Sequence, residues 1–226
     1  MFDIGALVES VSAVICFILV WFMIKPYRLT GDARFLGLPL GFGIMGVSHV
    51  IATIVVAFST NLSWFLILFR TFSFVFLAAT YFFSSRAFKK TQQLWNVTLS
   101  ALIVLFMALS LILFVAPQTA NWLANYNAQI YSRVFMEIFL TYIIIFTLRT
   151  HVKKPDPNTI WIPFGFISLA ISQYTLILAY ITHTFNSNGP PYLGVPYWAA
   201  MAFRFAGLLV FLAVAYRTFY SKKEFE

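Results

Sequence analysis

The chain has 226 residues, 61% of them hydrophobic and only 10% charged, with a mean hydropathy of +0.86. Soluble domains carry roughly 25% charged residues, so a water-soluble fold is excluded, and this much apolar surface calls for lipid as its solvent. The net charge of +8 would suit nucleic acid, but the basic residues are distributed by membrane side, and no nucleic-acid partner is expected.

A bilayer span takes about 20 mostly apolar residues. Seven such stretches follow one another at 4–24, 35–58, 64–83, 94–115, 130–148, 160–183 and 196–216, and only the fifth is short. The first carries Asp3 and Glu9 near its start and ends at Trp21, Phe22 and Lys25. With no basic leader and no small-residue cleavage site, it reads as a retained span. The connections are short except 116–129 and 184–195. The expected fold is therefore an all-α integral membrane protein, a single seven-helix membrane domain over 1–226.

Orientation follows from the basic residues. Lys25, Arg28 and Arg34 follow span one, and Arg86, Lys89 and Lys90 follow span three. Arg149, Lys153 and Lys154 follow span five, and Arg217, Lys222 and Lys223 lie in the tail. The alternate loops, 59–63, 116–129 and 184–195, hold no Lys or Arg. This pattern predicts an extracellular N-terminus and a cytoplasmic C-terminus in the cell (plasma) membrane, with a basic face toward anionic headgroups. Trp64, Trp122, Tyr126, Tyr192 and Tyr197 fall near the outer boundary, where amphipathic rings prefer to lie.

The openings of spans two and six match without a gap. Asp32, Pro39, Gly41, Phe42 and Ser48-His49 recur as Asp156, Pro163, Gly165, Phe166 and Ser172-Gln173. Spans three and seven match less closely, through Phe69-Arg70 and Leu77-Ala78 against Phe203-Arg204 and Leu212-Ala213. Spans one and five each carry a glutamate, Glu9 and Glu137. These matches predict a 3+1+3 parallel repeat: repeat A 1–90, linker helix 91–128, repeat B 129–226. The odd linker gives both halves the same orientation, and such repeats enclose a site where they meet.

In helix count, orientation and repeat order, this layout resembles the small sugar-exporter (SWEET) and PQ-loop transporters, and the opsins. The local motifs depart from those families. The one Pro-Gln pair, Pro117-Gln118, sits in an outer loop, and span seven offers Arg204 where a retinal Schiff base needs a lysine. Arginine stays protonated and has no free amine for that bond, so no covalent retinal is expected. A bis-histidine haem is not expected either, because beyond His49 only His151 and His183 remain, and both lie at helix ends. The single cysteine, Cys16, excludes an internal disulfide and a cysteine metal site. Asn61-Leu62-Ser63 is a formal glycosylation sequon in an outer loop.

Ionisable groups within spans are costly and usually functional. Glu9, His49, Arg70, Arg133, Glu137 and Arg204 all fall roughly 5–15 Å below the outer boundary at the rise of an α-helix, and Gln173, the counterpart of His49, falls with them. They read either as a ligand-binding layer or as charge pairs that hold helices together. Expected pairings are Glu9 with Arg70 and Glu137 with Arg204, their crossed versions, or Arg133 with Glu137 one turn along. Two carboxylates against three guanidiniums leave one positive charge over, which suits a small polar or anionic ligand. His49 or a glutamate could instead couple to a proton. Pro39, Gly41, Pro163 and Gly165 are candidate hinges.

The favoured function is a small-solute or ion transporter or facilitator. The alternatives are a ligand sensor that signals through a partner, and an accessory subunit packed against membrane partner subunits. No enzyme is expected, although Glu9, Glu137 and His49 could serve as acid or base groups.

Overall fold

The computed structural model describes residues 4–31, 33–58, 62–84, 89–115, 126–153, 155–156, 160–185 and 195–220. Asp32, Asn61, Arg86, Pro117, Gln118, Trp122, Lys154, Tyr192, Lys222 and Lys223 lie outside them, as do the side chains of Arg34, Ser63, Lys89, Lys90, Tyr126 and His183. Nearly all of the described residues are helical. They form α1 (Ile4–Met23), α2 (Lys25–Thr30), a 3-10 turn (Ala33–Leu36), α3 (Gly37–Phe58), α4 (Ser63–Ser84), α5 (Lys89–Val115), α6 (Tyr126–Lys153), α7 (Trp161–Phe185) and α8 (Val195–Tyr220). Among the described residues, seven helices are long and apolar enough to cross a bilayer, with α1 and α2 together making one span, Ile4–Thr30. This is the pattern of a polytopic membrane protein lying in lipid.

Two boundaries differ from expectation. The first span does not stop at Lys25. Ile24 N–H donates to Val20 O at 2.9 Å and Arg28 N–H to Ile24 O at 3.1 Å. Pro26 falls in the first turn of α2, where a missing N–H leaves nothing unpaired. The helix therefore carries its own basic residues, with Lys25 over the Phe22 ring and Arg28 over the Trp21 ring. The fifth span is not short, because α6 runs for 28 residues. Its polar ends, Asn127 to Ser132 and Arg149 to Lys153, lower the hydropathy without interrupting helical backbone.

The chain divides into two compact units, Met1–Asn125 and Tyr126–Glu226. In the first, α3 packs against both α1 and α4, and α5 packs on α4 and the 3-10 turn. Phe72, Phe76, Trp95 and Leu99 form a buried cluster, and Trp95 Nε1 donates to Ala33 O at 2.7 Å, fixing the turn that leads into α3. Trp64, expected at the outer boundary, is buried against Leu113. In the second unit, α7 packs against both α6 and α8. In each unit the second span, α3 or α7, thus packs against both the first and the third.

Candidate functional site

Lipid tails are as apolar as leucine, so helices in a membrane associate through close packing and interhelical hydrogen bonds. Both devices centre on the middle helices. On α1 the buried residues include Glu9, Ser12, Ala13 and Cys16, and on α3 they include Met45, Ser48, His49 and Ala52. Spacings of three and four place each set on one helix face, and these faces meet.

The first unit gathers three of the expected groups. His49 Nδ1 lies 2.6 Å from Glu9 Oε2, and Arg70 Nη2 lies 3.7 Å from Glu9 Oε1. Glu9 is 3% exposed and His49 1%, so the carboxylate is held between two helices and out of solvent. An ionised carboxylate can only accept, so in that state Nδ1 is the donor. Opposite charges so placed compensate one another in lipid. A second polar layer backs this one: Thr53 Oγ1 donates to His49 O at 3.0 Å and stands 3.3 Å from Ser10 Oγ.

The second unit brings together Arg133 and Gln173. Arg133 Nη1 donates to Gln173 Oε1 at 3.1 Å, and its guanidinium lies over the Tyr180 ring, 4.9 Å from the centroid. Arg133 is 7% exposed and Gln173 5%. Both contacts are to neutral groups. Glu137, one turn further along α6, is half-buried, and its Oε2 is buried without a hydrogen bond. Arg204 is buried on α8 at 6% exposure. Arg133 therefore turns to α7 rather than to the glutamate on its own helix.

Pro39, Gly41, Pro163 and Gly165, near the starts of the middle helices, are all buried. Pro39 and Pro163 sit where a proline costs no helical hydrogen bond. Gly41 and Gly165 are points of close approach. A Cβ on Gly41 would stand 2.7 Å from Leu77 Cδ2 and 3.2 Å from Ser73 O, and one on Gly165 would stand 2.7 Å from Phe211 Cζ. The missing side chain lets α4 and α8 close onto α3 and α7. Phe211 also packs edge-on to Phe166, with centroids 4.7 Å apart.

Tyr180, Thr53 and Ser10 join these clusters without having been singled out in the sequence. The signal was present for two of them, since Tyr180 is two turns from Gln173 and Thr53 one turn from His49. Neither turn count reveals which face of the helix looks inward. No family model matches the chain, and neither a curated protein nor a solved structure matches it.

Proposed function

We propose that this protein is a small-solute transporter built as two related three-helix units in parallel orientation, with its N-terminus outside and its C-terminus in the cytoplasm. The observation that carries the reading is a pair of equivalent bonds. Glu9–His49 and Arg133–Gln173 each join the first helix of a unit to its middle helix across forty residues. One shift of 124 residues relates them, the same shift that relates Pro39 to Pro163 and Gly41 to Gly165. At that shift the counterpart of Glu9 is Arg133 rather than Glu137. On the third helices the shift that relates Arg70 to Arg204 sets Leu77 against Phe211, one residue from its match by residue type, Leu212, and Leu77 and Phe211 each cover the matching glycine.

Chance likeness between apolar helices would match residue types. It has no reason to match contacts. Duplication of a three-helix unit does, and parallel duplicated units are a common transporter design. The polar clusters are then what such a chain needs in order to hold a solute. An anion is favoured, because Arg133 and Arg204 are two buried guanidiniums set against one carboxylate, Glu137, and the described contacts of Arg133 are neutral. The basic loop residues and the tail set the orientation.

The test is flux through the purified chain alone in liposomes, with acetate, succinate and inorganic phosphate as probes. At least one is expected to cross faster than in empty vesicles, and Arg133→Gln is expected to abolish the difference. Failure of all three to move would remove the anion-transport reading.

A further inference from the structure

Away from the polar clusters, the second unit carries a surface groove of about 300 Å³ between α7 and α8. Its lining is Trp161 from α7, and Leu209, Val210, Ala213, Val214 and Arg217 from α8. The α8 residues recur at intervals of three and four, so they form one stripe along a single helix face. From Leu209 to Arg217 the stripe runs roughly 12 Å along the helix. Ala213 and Val214 in its middle are small and leave room for a chain, and its two ends differ in chemistry. One end is wholly apolar. The other holds an indole and a guanidinium, both partly or fully open.

We infer that this groove binds one anionic phospholipid, with an acyl chain along Leu209, Val210, Ala213 and Val214 and its phosphate on Arg217. Four observations converge on this occupant. Arg217 is exposed and makes no hydrogen bond or ion pair among the described residues. Its guanidinium can meet a phosphate bidentately. Trp161, at the start of α7, lies at the same end of the unit as the end of α8, which is where an interfacial indole belongs. Arg149 and Lys153, on the last turns of α6, add positive charge near that end. A zwitterionic lipid would satisfy the stripe but leave this field uncompensated, whereas an anionic one answers both. The site makes no use of Glu9, His49, Arg133 or Gln173, so it stands or falls apart from the transport reading.

The experiment is lipid retention by the full chain in nanodiscs of mixed phosphatidylcholine and phosphatidylglycerol. Native mass spectrometry after detergent release reads the retained species. The wild-type chain is expected to keep one phosphatidylglycerol in preference to phosphatidylcholine. Arg217→Gln is expected to reduce that retention about fivefold, the weight of one basic residue at an anionic surface. Ala213→Trp fills the groove while keeping the arginine, and is expected to reduce it as well. Arg28→Gln, which removes an exposed basic residue of the first unit, is expected to keep it. Unaltered retention in both groove variants would overturn the proposal. So would an equal loss in Arg28→Gln, which would mean diffuse charge attraction, and so would displacement of the lipid by inorganic phosphate, which would mean that the acyl chain contributes nothing.

Discussion

His49 Nδ1 stands 2.6 Å from Glu9 Oε2, while Arg70 stands 3.7 Å from the other oxygen of the same carboxylate. The first distance is that of a short, charge-assisted hydrogen bond and the second is a looser ion pair. The two contacts should therefore separate energetically. In double-mutant cycles read by thermal unfolding in detergent, Glu9→Ala with His49→Ala should give a coupling within about 0.5–3 kcal/mol. Glu9→Ala with Arg70→Ala should give a smaller one, near the roughly 0.6 kcal/mol average for polar pairs in membranes. A larger coupling to Arg70 would mean that the imidazole is not the main partner of Glu9.

Adding one carbon to a glycine distinguishes close packing from free backbone. Gly41→Ala and Gly165→Ala force a Cβ to 2.7 Å from Leu77 and Phe211 respectively, and each should destabilise by about 1–3 kcal/mol. Gly43→Ala meets only Val20 Cγ2 at 3.6 Å. It should be neutral, or stabilise by up to about 1 kcal/mol through helix propensity. Trimming the facing side chain, Leu77→Ala in the Gly41→Ala background, should recover part of the loss. Three indistinguishable glycine variants in a melting experiment would contradict this geometry.

The Tyr180 ring is expected to hold Arg133 by its face. Tyr180→Leu keeps bulk but removes the quadrupole, and should lower stability by about 0.5–2 kcal/mol. Tyr180→Phe keeps the ring and should lose less. The ordering of the two variants in unfolding midpoints is the readout, and its reversal would assign the contribution of Tyr180 to its hydroxyl.

The proposed orientation can be read with thiol chemistry, because Cys16 is fully buried and gives little background. Lys153 is exposed at the end of α6. In Lys153→Cys, a membrane-impermeant maleimide should react only after the cells are permeabilised. Labelling of intact cells would invert the topology.

Much was legible in the sequence because it depends on sums over neighbours. Whether a segment enters lipid is decided by the transfer energies of about 20 consecutive residues, so the seven spans stand in the sequence before any packing is known. Depth is similarly local, since each residue adds about 1.5 Å along the axis, and Glu9, His49, Gln173 and Arg133 could be set at one level from their positions alone. The length of α6 was misjudged for the same reason: hydropathy marks where lipid ends, and helical backbone continues beyond it.

Rotation about the helix axis is a different matter. Each residue turns the side chain by about 100°, and which face looks inward is settled by what the other helices present. Only the tertiary structure decided that Arg133 bonds Gln173 and not Glu137, that Tyr180 covers its guanidinium, and that Gly41 and Gly165 seat Leu77 and Phe211. The physical reason is that burial in lipid is nearly indifferent to helix rotation, whereas interhelical hydrogen bonds and the fit of small residues against large ones are not.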